Sequence, residues 1–193
     1  MSRVCVFCAS SRGTDPRHAE ATVALGRALV ERSWGLVYGG GSVGLMGLLA
    51  DTVLEGGGEV IGVIPTPVFS REVGHRGCTE LIEVGSMHER KVLMYDKADA
   101  FVALPGGFGT LEELAEILTW SQIGLHAKPV GVVDVGGYWR PLLEWCDTAV
   151  RAGLLKEANR RLLVARPDPV ELLDALAVHR PPRAEKWIDL DET

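Results

Sequence analysis

The sequence predicts an α/β protein built on one doubly wound, mainly parallel sheet of about seven strands, and three observations lead there. Seven short apolar runs recur along the 193 residues with helical patterns between them, the alternation that builds βαβ units. The runs are continuously apolar rather than alternating, as strands covered on both faces are. Glycine-rich segments, 39–47 and 105–109, stand where a strand hands over to a helix.

Taken in order, Val4 to Phe7 is the first strand, and Asp15-Pro16 starts the helix after it. There Asp caps free amides and Pro takes the first helical position. Gly35 to Tyr38 is the second strand, with a helix after Gly44. Val60 to Ile64 and Leu81 to Val84 are the third and fourth, separated by Pro65 to Cys78, a loop too irregular to assign. A helix follows Met87. Ala100 to Leu104 is the fifth strand, and Leu111 to Ile123 carries apolar residues at helical spacing. Val130 to Val133 is the sixth, a helix follows Tyr138, Leu162 to Ala165 is the seventh, and Asp168-Pro169 opens the last helix. These elements make a Rossmann-like three-layer α/β/α sandwich over residues 1–180, a single nucleotide-binding domain. Residues 181–193, with two prolines and several charges, form a C-terminal tail.

Composition narrows the partners. A net charge of -6 excludes a general nucleic-acid binder, which needs a basic face. No apolar stretch is long enough to span a bilayer, and the start, Met-Ser-Arg-Val-Cys, lacks the apolar run of a secretory signal. Four cysteines (Cys5, Cys8, Cys78, Cys146) are too sparse for a disulfide scaffold. The expectation is a cytoplasmic protein with a small-molecule ligand, no nucleic acid and no membrane.

In open α/β sheets ligands bind outside the carboxyl ends of the strands, where the strand order reverses. Three segments would meet there: Gly39 to Gly47, Met87 to Lys91, and Pro105 to Glu113. The last is the most informative. Its glycines let the backbone approach a ligand, and the free amides of the first helical turn then point at it with the positive end of the helix dipole. A phosphate is the natural guest, with the carboxylates of Glu112 and Glu113 beside it. Gly39, Gly41 and Gly44 match the dinucleotide fingerprint, but the following strand, Glu59 to Pro65, carries its acid at the start rather than near the end, where a ribose-binding acid belongs. A turn for close helix and sheet packing, or a wall of a mononucleotide site, are the other uses of those glycines.

Several residues have structural uses as well. Thr110-Leu111-Glu112-Glu113 also spells a capping box, with Thr110 capping the helix and Glu113 bonding back to its backbone; spacing leaves both roles open. Glu112 and Glu116 suit a solvated helix face or a ligand contact, and Arg90 and Lys91, beside Glu89, suit a helix surface. Cys5-Val6-Phe7-Cys8 has redox-pair spacing, but residues three apart in a strand project to opposite faces, which makes them buried thiols. His18, His75, His88, His126 and His179 have no metal-ligand spacing. No metal and no cofactor are expected.

Residues 105–113 match the motif PGGxGTxxE, and Cys5 to Ser11, Tyr38 to Gly47, Met87 to Lys91, Leu118 to Trp120 and Lys128 to Gly131 extend the match in order from about Val4 to Ala177. On these segments the chain resembles the LOG (Lonely guy) family of cytokinin riboside 5′-monophosphate phosphoribohydrolases. The resemblance implies hydrolysis of the N-glycosidic bond of a nucleoside 5′-monophosphate, AMP or a cytokinin riboside 5′-monophosphate, to free base and ribose 5-phosphate. It implies Arg90 and Glu113 as the catalytic pair. It implies Gly106, Gly107, Phe108, Gly109, Thr110, Leu111 and Glu112 as the binding loop, with contacts from Lys91, Thr119 and Glu72, and a homodimer. The chemistry fits independently: cleavage builds positive charge on the ribose, which a carboxylate stabilises, and a held phosphate supplies binding energy for orientation.

Two other classes compete. A nucleotide carrier would have the same pocket without turnover. A lysine decarboxylase, a label attached to proteins resembling this family, needs a lysine bound to pyridoxal phosphate as a Schiff base. Lys91, Lys97, Lys128, Lys156 and Lys186 stand in no such context.

Overall fold

The apolar runs of the five inner strands are covered on both faces, while the two edge strands are partly exposed. A computed structural model describes residues 2–66 and 74–182. Its strands are β1 (Arg3–Phe7), β2 (Gly35–Tyr38), β3 (Val60–Pro65), β4 (Glu80–Val84), β5 (Ala100–Ala103), β6 (Val130–Val133) and β7 (Leu163–Arg166). They form one sheet in the order β4-β3-β2-β1-β5-β6-β7, and every pairing is parallel. All seven predicted strands are present, with ends displaced by a residue or so.

The helices are α1 (Pro16–Glu31), α2 (Gly44–Glu55), α3 (Met87–Lys97), α4 (Phe108–Gln122), α5 (Arg140–Arg151), α6 (Glu157–Arg160) and α7 (Pro169–Val178). The Asp-Pro starts work as expected. Asp15 accepts from the Arg17 amide at 3.0 Å, and Asp168 from the Val170 and Glu171 amides at 2.8 and 3.0 Å, each cap contributing about 1 kcal/mol. The short α6, a single turn without its own apolar face, was not visible in the residue pattern. No described helix is long and apolar enough to cross a membrane.

Alternate residues of β1 supply opposite layers of core. Val4, Val6 and Cys8 pack with Leu25 and Leu29 of α1, Leu49 of α2 and Leu172 of α7. Cys5 and Phe7 pack on the other side with Met94 of α3 and Leu114 and Ile117 of α4. The two thiols therefore lie in different layers, and burial pushes both above the ordinary thiol range. From β1 the chain winds outward through β2, β3 and β4, then returns to the other flank of β1 to lay down β5, β6 and β7. The connections after β1 and β5 diverge to opposite faces, which opens a crevice at their carboxyl ends.

Candidate active site

The crevice is a cleft of about 470 Å³, bounded by the ends of β1 and β3 and the starts of α3 and α4. Helix α4 begins earlier than the residue pattern suggests. Gly107 is its N-cap, in extended conformation and without a side-chain cap, and the first helical bond runs from the Leu111 amide to the Gly107 carbonyl at 3.0 Å. The amides of Phe108, Gly109 and Thr110 precede that bond, so they have no intrahelical acceptor. All three residues, with Gly107, line the cleft. An anion seated there meets a row of donors and the positive end of the helix dipole.

This start removes the capping-box reading at 110–113. Thr110 lies inside the helix and is buried; its hydroxyl packs over Gly106, where an added Cβ would come within 2.0 Å of Oγ1. The capping signal belongs instead to α3. Ser86 accepts from the Glu89 amide at 3.2 Å, while Glu89 reaches back to the Gly85 amide at 2.8 Å. That box orients α3 so that its next residue, Arg90, enters the cleft.

Arg90 donates from Nε to the Val63 carbonyl at 3.1 Å, and its Nη1 stands 3.5 Å from Oε1 of Glu113. Both side chains are largely buried, 14% and 12% exposed. The guanidinium passes directly over Gly39, where any Cβ would lie 2.0 Å from Nη2. Burial pushes the Glu113 carboxyl up to about 7, with Glu112 adding to the effect and the Arg90 cation opposing it. A carboxyl balanced near neutrality in a cleft is suited to proton transfer or to stabilising a developing cation.

Lys91 points the other way. It binds Glu112 at 2.6 Å and Glu116 at 3.0 Å. Burial acts to lower its pKa, but these two acids hold it raised. The three charges brace α3 against α4 just behind the cleft, so Lys91 and Glu112 support Arg90 and Glu113 rather than line the cavity. Phe108 stands at the cleft mouth, 92% exposed.

Leu111 and Thr119 face a separate apolar hollow of about 190 Å³ between α4 and α5, and the Thr119 hydroxyl bonds to the Ala115 carbonyl at 2.8 Å. Glu72 lies outside the described residues, as does the tail from 183. His88 is exposed at the start of α3, away from the cleft lining. The cleft also takes in Met46 and Met87, which lie within the segments expected to meet there, and Ser10, Ser11, Ile64 and Pro65, which lie outside them. Ser10 and Ser11 follow the strand at which the sheet order reverses, and that position was the available signal.

Of the glycines after β2, Gly39 lines the cleft beneath Arg90, and Gly44 serves packing. Gly44 has φ +67°, and a Cβ there would strike the Ser10 carbonyl carbon at 2.2 Å. The Leu45 amide at the start of α2 already donates to the Ala9 carbonyl at 3.1 Å. The backbone of the β1–α1 connection thus occupies the place a pyrophosphate would need, and the dinucleotide fingerprint is a close-packed turn.

A parallel doubly wound sheet with an anion-receiving helix start and a buried carboxylate–guanidinium pair defines a Rossmann-like protein with a nucleotide-sized site. Residues 46–176 match a family model described as "Possible lysine decarboxylase". The chain is 50% identical over 179 residues to a cytokinin riboside 5′-monophosphate phosphoribohydrolase of Arabidopsis thaliana, covering 93% of this chain and 82% of the relative. A cytokinin riboside 5′-monophosphate phosphoribohydrolase of Oryza sativa subsp. japonica is 49% identical, covering 93% and 74%. The chain belongs to this LOG family of phosphoribohydrolases. In fold it is similar to the molybdenum cofactor carrier protein of Chlamydomonas reinhardtii, with a TM-score of 0.70 at 22% identity, covering 92% of this chain and 99% of the carrier.

The family model's description implies pyridoxal phosphate, and the residues present do not fit it. None of the four lysines among the described residues lines the cleft. Lys91 is held by two acids, and Lys128 donates to the Tyr95 carbonyl at 2.7 Å with its Nζ 3.8 Å from the centre of the Tyr95 ring.

Proposed function

We propose that this protein hydrolyses the N-glycosidic bond of AMP and of cytokinin riboside 5′-monophosphates, releasing adenine or the free cytokinin and ribose 5-phosphate. The observation that carries the reading is the buried Glu113–Arg90 pair one turn along α4 from a row of free amides, together with relatives of about half identity bearing that activity in their names. The phosphate sits on the amides of residues 107–110, which places the ribose against Glu113. The bond from C1′ to the base nitrogen breaks and its electron pair leaves with the base; water's oxygen bonds to C1′, and one water proton ends on the base. Ionised Glu113 activates the water or stabilises the cationic ribose, and Arg90 orients the nucleotide or assists the departing base. Lys91 and Glu112 brace the pair. We place Glu72 and Thr119 among the substrate contacts on family grounds alone.

The test is chromatographic detection of free base and ribose 5-phosphate after incubation with AMP and isopentenyladenosine 5′-monophosphate, with the unphosphorylated nucleosides as controls. Release from the monophosphates alone is expected. Nucleotide binding without release would select the carrier reading instead, which the names of the half-identical relatives argue against.

The Glu113 carboxyl, raised to about 7, sets a pH dependence. Because the ionised form acts, kcat/KM is expected to climb with pH through about 7 and level off above it. A profile that falls through that range would make Glu113 a general acid.

We propose a homodimer, with the faces of α4 and α5 as its contact. Trp145, 65% exposed, stands beside Leu111 and Leu118 around the apolar hollow. Trp145→Glu is expected to shift the mass in light scattering from dimer to monomer; wild-type protein of monomer mass at micromolar concentration would refute the assembly. The setting we propose is the cytoplasm, where free thiols such as the four here persist.

A further inference from the structure

The connection after β6 reaches across to the loop after β5. There the Tyr138 hydroxyl donates to the carbonyl of Gly106. Tyr138 is steadied on two sides, by an edge contact with the His18 ring of α1 at 5.5 Å and another with Trp139 at 5.4 Å. Trp139 is in turn fixed where its amide donates to Asp134 Oδ1 at 2.7 Å. Tyr138 does not line the cleft, whereas Gly107 does.

The carbonyl that Tyr138 holds belongs to the peptide unit that carries the Gly107 N–H. In a trans peptide the C=O and the following N–H point in opposite directions. Securing the carbonyl on the Tyr138 side therefore turns the Gly107 N–H away from it. The unit lies between two glycines, so no Cβ on either side resists its rotation. A hydrogen-bonded carbonyl also polarises its own amide and makes that N–H a stronger donor.

From this geometry we propose that Tyr138 is a positioning residue for the phosphate cradle. It locks the Gly106–Gly107 peptide so that the Gly107 amide joins those of Phe108, Gly109 and Thr110 in receiving the 5′-phosphate. The inference rests on the phosphate being seated at the start of α4, but not on the chemistry that follows. It assigns to the β6–α5 connection, which carries none of the residues expected at the site, a role in phosphate affinity.

The discriminating variant is Tyr138→Phe, which keeps the ring against His18 and removes only the hydroxyl. Ribose 5-phosphate binding by calorimetry is expected to weaken about five- to tenfold, as loss of one preorganised donor implies. KM for AMP is expected to rise by a similar factor while kcat stays within about twofold, and competition by free adenine is expected to be unchanged. Tyr138→Ala should show the same selective loss together with a lower Tm, because the ring contacts go as well. Unchanged ribose 5-phosphate affinity in Tyr138→Phe would overturn the proposal, as would equal weakening towards ribose 5-phosphate and adenine, the mark of general damage. Wild-type protein that binds ribose 5-phosphate but releases no base would defeat the phosphoribohydrolase reading and leave this proposal to be decided by the binding data.

Discussion

Glu113→Gln is expected to reduce base release from AMP by about a thousandfold, the scale on which a positioned carboxylate contributes through proton transfer or charge stabilisation. Single-turnover measurement of adenine formation checks this. Gln preserves shape and keeps a polar contact for Arg90, so the nucleotide should still bind. The same variant is expected to be at least as stable as wild type above neutrality. The sign follows from linkage: a carboxyl raised from its ordinary 4.5 to about 7 contributes its full stability below pH 4.5 and loses it as pH rises through 7. At pH 8 the buried charge costs about 3 kcal/mol relative to a neutral side chain, at 1.36 kcal/mol per pH unit. Urea unfolding at pH 8 and pH 5 should therefore show Glu113→Gln gaining on wild type at the higher pH. A variant that is less stable at pH 8 yet turns over normally per folded molecule would make Glu113 a structural residue.

Arg90→Ala is expected to lower kcat/KM by two to three orders of magnitude, comparable to the loss of an electrostatic contact in a desolvated site. Two contacts go at once, the 3.5 Å pairing with Glu113 and the 3.1 Å bond to the Val63 carbonyl, together with the cation proposed to meet the nucleotide. A second signature separates this from simple loss of binding. Arg90 opposes the burial that raises the Glu113 carboxyl, so its removal should shift the rising limb of the pH–rate profile to higher pH. Arg90→Lys restores the charge but not the planar fork that reaches Val63 and Glu113 together, and is expected to recover only part of the rate. An unshifted profile in Arg90→Ala would show that the two groups act independently.

Much of this protein was legible in its residues. Continuous apolar runs such as Val60 to Ile64 and Ala100 to Leu104 mark strands covered on both sides, because a polar residue on either face would have no water to meet. The Asp15-Pro16 and Asp168-Pro169 starts read correctly because capping is local chemistry, decided within a few residues. The glycine loop before Thr110 suggests an anion cradle on the same local grounds, and residues 107–110 line the cleft.

Contacts between distant segments were another matter. Sequence alone left Thr110 and Glu113 between a helix cap and an active site, since both roles use the same spacing. The start of α4 at Phe108 puts Thr110 inside the helix and so removes the cap, and Arg90 arrives beside Glu113 from another helix. The glycines at 39 and 44 look like a phosphate motif in one dimension. In three, one is small because the Arg90 guanidinium crosses it and the other because the β1–α1 backbone leans on it. Lys91 and Glu112, which the resemblance implies as substrate contacts, form an ion pair between α3 and α4 that no local pattern announces. Tyr138 carries no motif at all, and only the adjacency of β5 and β6 brings it to Gly106. Local propensity and burial pattern determine which elements form, while the packing of elements far apart in the chain determines which polar side chains meet, and the chemistry of this site arises from those meetings.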